Sequence, residues 1–262
     1  MIIKQSFSLP TAVIIIDFDN FIPGDLTDIS SNELEGRLKG LVRSALDESS
    51  EVETILIRLY GGWYKKESFT DRASALQQKL AAIKIFPYID LQTRSFVRGK
   101  IELATTLVDL PRVVWHNTLV ERDGISRVRI DRTKLTQACE VNKSSCPIKI
   151  LENFTKKKNK LCKTLSCTVI HKDAIKGVGQ KMVDNMIACD FLTITSDFLA
   201  KVILFVSDDT DHFPSILLGA SNVNDRSRKI ILGVYNKSYQ EQWGHLFSDL
   251  KEIKFKILSY DN

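Results

Sequence analysis

The chain lacks any run of the roughly 18–20 apolar residues that a membrane-spanning helix needs, and its opening, MIIKQSFSLP, lacks the long apolar core of a secretion signal. No membrane partner is therefore expected, and the cytoplasm is the expected compartment. Internal repeats are missing, as is low-complexity sequence beyond a short KKKNK tract. Histidine is scarce, with four residues scattered along the chain, which turns attention to the carboxylates. There are five cysteines, and without a secretion signal a disulfide framework is disfavoured; metal binding or the packing of reduced thiols is left.

What is present fits a globular protein. At 262 residues, 44% hydrophobic and 26% charged, the chain can form one large α/β domain or one domain carrying an insertion. Its formal charge of +5 hides an asymmetry: residues 141–181 hold ten Lys against Glu152 and Asp173, a local balance of +8 that leaves −3 elsewhere. Such a block, with Lys156, Lys157, Lys158 and Lys160 at its centre, suits a polyanion, since each neutralised phosphate releases counterions. A solvated lysine-rich loop is the alternative. Four cysteines share the segment, Cys139, Cys146, Cys162 and Cys167, spaced Cys-x6-Cys, fifteen residues, Cys-x4-Cys, with His171 shortly after. Structural zinc sites use tighter knuckles. A zinc-clamped insertion and a set of reduced thiols both stand as readings.

Along the chain, TAVIIIDFDN has the continuous Val/Ile run of a buried parallel strand ending at Asp17. Leu34, Leu38, Leu41, Val42 and Leu46 then recur at helical spacing, with Ser31 or Asn32 as cap. EVETILIRLYGGW predicts a second strand stopped by Gly61 and Gly62, and SFTDRASALQQKLAAI a second helix. Strand, helix, strand, helix implies a parallel sheet with covering helices. Residues 84–136 read as β-rich and irregular, with a hairpin turning at Asp123-Gly124. The expected organisation is a single domain over 1–262, with an insertion at about 112–172 made of this hairpin and the Cys/Lys-rich segment. A helix from about Gly179, the strand Val202–Val206, a short helix from near Asp211 to Gly219, the strand KIILGVY and a final helix YQEQWGHLFSDLKEI complete a doubly wound pattern. Trp63 and Tyr64 could stack on bases, although aromatics after a strand are more often core.

Carboxylates collect where this architecture gathers ligands, outside the carboxyl ends of parallel strands. One strand delivers Asp17, with Asp19 and Asn20 beyond it; another delivers Ser207, Asp208, Asp209 and Asp211; a helix start contributes Asp184. Crowded like charges are costly unless a cation sits among them, and Mg²⁺ or Mn²⁺ takes such hard oxygen ligands while keeping waters that can attack a phosphodiester. The bland readings are local: Asp211 as an N-cap, Asp184 favoured by the helix dipole, Lys181 paired with Asp184 or holding a phosphate oxygen. Asp190, about 120° round the helix from Asp184, reads as a supporting or surface residue.

AVIIIDFDNF, QKMVDNMIACDF and VILFVSDDTDHFPSI, in this order, resemble the signature blocks of the NYN branch of the PIN-like nucleases, met in bacterial proteins and in eukaryotic endoribonucleases. The family's Asp-x-x-Asn is matched by Asp17 and Asn20, its Lys-x-Val-Asp by Lys181, Val183 and Asp184, and its Ser-Gly-Asp-Ser-Asp-Phe by Ser207, Asp209, Thr210 and Asp211. Asp208 stands where Gly is usual, which would alter the charge of the site, and His212 where an aromatic is usual, which reads as a packing variant. The resemblance spans about residues 11–62 and 179–235. It implies a PIN-like, Rossmannoid three-layer α/β sandwich. It also implies an endoribonuclease using Mg²⁺ or Mn²⁺ held by Asp17, Asp184, Asp209 and Asp211, with Asn20 and Ser207 orienting a ligand or water.

Two other functions compete. A phosphatase of the haloacid-dehalogenase type also opens Asp-x-Asp after a buried strand; Asp17 would be its nucleophile, Asp19 its general acid, and Lys181 or Lys176 its phosphate partner. Against it, Asn20-Phe21 departs from that motif. The third reading is an RNA-binding module without catalysis, in which the acids hold a structural ion or none.

Overall fold

A computed structural model describes residues 10–90, 95–123, 136–137, 141, 144–156, 161–162, 166–170, 176–197, 200–223, 228–238, 241, 244–247 and 253–258. The chain divides into two compact units, 1–118 with 181–262, and 119–180.

The first unit is built on the apolar runs. Strands β1 (Ala12–Asp17) and β2 (Thr54–Tyr60) are separated in the chain by helical elements, and β3 (Tyr64–Lys65) and β4 (Ser68–Phe69) form a small hairpin after β2. Next come β5 (Tyr88–Asp90) and β6 (Ser95–Leu103). In the second unit lie β7 (Leu119–Asp123) and β8 (Lys176–Gln180), and the first unit resumes with β9 (Val202–Val206), β10 (Lys229–Val234) and β11 (Ile253–Ile257). Among the described residues the main sheet has seven strands in the order β11-β10-β9-β1-β2-β6-β5, parallel except for β5.

The period of two decides what each strand shows to each side. Ala12, Ile14 and Ile16 join Leu34, Leu38 and Val42 of α2 (Ser31–Leu46) and Ala73 and Leu76 of α3 (Asp71–Ala82) in one core. Val13 and Ile15 join Val183, Ile187 and Phe191 of α5 (Val183–Asp197) and Ile216 of α6 (Phe213–Ser221) in another. Helices thus cover both faces, and the β1 side chains are wholly buried, each large aliphatic contributing about 1.5–3 kcal/mol. A four-residue α1 (Phe18–Phe21) continues from β1, and α4 (Pro147–Lys156) lies in the second unit. No helix among the described residues is long and apolar enough to cross a membrane.

Several expectations shift by an element. The cap of α2 is Ser30, whose hydroxyl accepts from the Glu33 N–H, rather than Ser31 or Asn32. Gly179 lies in β8, not in a helix, and α5 starts at Val183. The last helix, expected over 239–253, is helical at Glu241 and passes into a 3-10 turn at Gly244–Phe247, with 239–240, 242–243 and 248–252 outside the described residues; β11 begins at its expected end, where Ile253, Phe255 and Ile257 alternate with lysines at strand period. Strand β7 pairs antiparallel with β8, from Leu119↔Gln180 to Asp123↔Lys176. The other half of the hairpin expected at Asp123-Gly124 falls in 124–135, outside the described residues. The second unit also contains a bridge between Leu161 and Ile170.

Candidate active site

The chain runs outward from β1 to β2 and β6 on one side and returns through β9 to β10 and β11 on the other, so the order reverses between β1 and β9. In open parallel sheets this reversal opens a crevice beyond the carboxyl ends of the two strands. Ile16 pairs with Val206, so the next residues, Asp17 and Ser207, emerge side by side at that point. Both continue the parity of Val13, Ile15, Ile203 and Phe205, the side covered by α5 and α6.

Five hydrogen bonds tie the rim together. Ser207 Oγ donates to Asp17 Oδ2 at 3.1 Å and accepts the Asp209 N–H at 3.0 Å, so one hydroxyl bridges β1 to the turn after β9. Asn20, one turn into α1, donates its amide to Asp17 Oδ2 and also reaches Ser207 Oγ at 3.4 Å. Asp209 Oδ1 accepts from the Asp211 N–H at 2.9 Å and caps the 3-10 turn Thr210–His212. The capping role expected of Asp211 therefore belongs to Asp209, and α6 follows without a side-chain cap.

Burial alone would raise the Asp17 carboxyl; the His212 imidazole, the Asn20 amide and the Ser207 hydroxyl outweigh it and hold the group below its ordinary value of 3.8. Asp184, in the first turn of α5, goes the other way. Its burial raises it and His212 pulls it down, but the neighbouring carboxylates of Asp17, Asp209 and Asp211 raise it further. Carboxylates from three remote elements thus share one electrostatic environment.

Asp208 does not join them. Its Oδ1 turns to the end of β10 and accepts the Tyr235 N–H at 2.8 Å, so the extra charge in that block is spent on joining two strand ends. Asp19 pairs with Arg72 of α3, on the opposite side of the sheet from α5. Lys181 precedes α5, exposed, its N–H donating to the Thr118 carbonyl; it is not part of the helical turn that carries Asp184. Trp63 is buried at 1% exposure against Phe18 and is core; Tyr64 packs on Phe69 and His116.

Two features escaped sequence reasoning. His212 is 2% exposed, its ring edge-on to Phe205, and its Nε2 lies 3.8 Å from Asp17 Oδ2. Its place directly after Asp211, where the pattern expects an aromatic, was the available signal. Asp190, read as a supporting or surface residue, is 1% exposed and sits beside Tyr60, the residue that pairs with Asp17 across β1 and β2. It takes the Tyr60 hydroxyl at 2.6 Å, Arg58 Nη2 at 3.1 Å and the Val108 N–H at 2.8 Å.

Among the described residues, no three His, Cys, Asp or Glu side chains close around a common point as a ready-made ion cage. The donor set still fits a hard divalent cation: oxygen ligands on a preorganised rim, a carboxylate raised by burial and then by its neighbours' negative charge, and a buried imidazole nitrogen without a partner beside Asp17. In the second unit Cys146 precedes α4, and Cys162 and Cys167 lie in the loop closed by the Leu161–Ile170 bridge. All three are half-buried; Cys139 lies outside the described residues. Lys156 ends α4, while Lys157, Lys158 and Lys160 are outside the described residues. No protein-family model, curated protein or solved structure matches the chain.

Proposed function

We propose that this chain is a metal-dependent nuclease of the NYN type with a PIN-like fold, hydrolysing phosphodiester bonds, with RNA as the favoured substrate. The observation that carries the reading is the bridged rim at the β1/β9 reversal, where Ser207 links Asp17 to Asp209 and Asp184 lies in the field of both. Asp17, Asp184, Asp209 and Asp211 are the residues that would hold Mg²⁺ or Mn²⁺. Such an ion supplies positive charge to a phosphodiester and lowers the pKa of a bound water. The chain's own contribution is preorganisation: Asn20 and Ser207 fix the Asp17 carboxylate in one orientation, and the cap by Asp209 sets the turn that carries Asp211. The lysine segment, with Lys156, Lys157, Lys158, Lys160 and Lys181, supplies affinity for a polyanion.

The phosphatase alternative is weakened by Asp19, which is held in an ion pair with Arg72 of α3 at 3.0 Å instead of being free to act as a general acid. A binding module without catalysis has no use for a carboxylate held in the repulsion of three others. The test is cleavage of single-stranded RNA with Mg²⁺ or Mn²⁺. Asp17→Asn and Asp209→Asn are each expected to lower the rate at least about 100-fold, the scale of losing a preorganised charge. Cleavage by both variants at the wild-type rate, or RNA binding without product at any metal concentration, would sink the proposal.

A further inference from the structure

His212 is the one buried polar side chain at the rim that the nuclease reading leaves without a task. It sits in the 3-10 turn between β9 and α6 at 2% exposure, with its Nε2 shielded from solvent and without a hydrogen-bond partner. The nitrogen is aimed at Asp17 Oδ2, but 3.8 Å is too long for a hydrogen bond. A buried nitrogen left without a partner is costly, and a bound ion is one way to satisfy it. Two ligands of one cation, each about 2.1 Å from it, stand about 3.0 Å apart when adjacent and about 4.2 Å when opposite. The observed separation lies between those limits. The Phe205 ring, edge-on at 5.3 Å, holds the imidazole in place from behind.

We propose that His212 Nε2 is a metal ligand together with Asp17 Oδ2, so that the rim is a mixed nitrogen and oxygen site that takes Mn²⁺ and later first-row divalent ions in preference to Mg²⁺. The inference rests on the reading that the acidic rim holds a divalent cation, and it adds which cation. Imidazole contributes little to Mg²⁺, which favours oxygen ligands and keeps its waters, whereas affinity for a nitrogen-containing site rises from Mn²⁺ along the first row. A phenylalanine at this position would fill the space and supply no ligand.

The experiment uses the full-length untagged protein and Mn²⁺ alone. Pulsed electron paramagnetic resonance of bound Mn²⁺ is expected to show nitrogen modulation from a coordinated imidazole. His212→Phe, which keeps an aromatic ring against Phe205, should abolish the modulation and weaken Mn²⁺ binding by about 10–100-fold, the usual cost of disturbing a metal site's supporting ligands, while Mg²⁺ binding stays within about twofold. His212→Gln, smaller and polar, serves as a second variant should the phenylalanine not fold, with circular dichroism as the check, and should also lose the modulation. Mn²⁺ bound in an Asp17-dependent way but without nitrogen modulation overturns the role of His212 and leaves the acidic site standing. No Mn²⁺ binding at all, in wild type as in Asp17→Asn, overturns both.

Discussion

Asp17 and Asp184 occupy the same rim yet have opposite electrostatic fates. Asp17 has its folded pKa below 3.8, so its ionised form stabilises the fold above that value, and the contribution is lost as pH falls through the folded pKa. Asp184 has its folded pKa above 3.8, so the folded state holds the proton more firmly; stability falls as pH rises from 3.8 through the folded value, and the charge is unfavourable at neutral pH. With a chelator present at pH 7, Asp184→Asn is therefore expected to raise Tm and Asp17→Asn to lower it. The Asp184→Asn shift should be small, about 1–3 °C, because Asp184 is exposed, and the Asp17→Asn shift larger, because Asp17 is buried. Melting curves from neutral pH down to about pH 3 check the signs; a fall in Tm for Asp184→Asn would show that its neighbours do not repel it. Stability lost at the rim in the absence of metal is the ordinary cost of a site built for a cation.

Among the elements, the joint between β2 and α5 does more than pack. Arg58, 3% exposed, bonds Glu102 of β6, the Tyr60 hydroxyl at 3.0 Å and Asp190 of α5 at 3.1 Å, while Asp190 also takes the Val108 N–H. This network fixes α5, and with it Asp184, against the strand that lies beside Asp17. Removing one member leaves a buried charge unpaired, so Asp190→Ala should cost about 3–5 kcal/mol, and Asp190→Leu combined with Arg58→Met much less. Chemical denaturation reads both, and a single variant no less stable than the double would refute the account. The helical spacing of Met182, Met186 and Cys189 made α5 legible, but the partner of Asp190 was not, since Arg58 is 132 positions earlier in a strand that reads as apolar.

For the molecule as a whole, the charge asymmetry separates two tasks: the acids lie in the unit formed by 1–118 and 181–262, and most of the excess lysines in 119–180. If Lys156, Lys157, Lys158 and Lys160 each neutralise an RNA phosphate, replacing all four by alanine should flatten the slope of log K against log salt by about 3, at about 0.7 per phosphate on a single strand. Fluorescence anisotropy with a labelled oligonucleotide over a salt series measures this. An unchanged slope would return the segment to a solvated loop.

Amino-acid order alone was sufficient for the buried strands and for the acids at their ends, because an unbroken Val/Ile run followed by carboxylates is a local pattern with one economical meaning in a parallel sheet. It was also sufficient for α2 and α3, whose apolar spacing has a single period. It could not show that β1 lies between β2 and β9, that β11 adds a strand at the edge of the sheet, that Asp208 turns away to Tyr235, or that His212 points at Asp17. Each of these depends on which surfaces meet across gaps of tens to hundreds of residues, and a side chain's partner is set by that through-space pairing, not by the residues on either side of it.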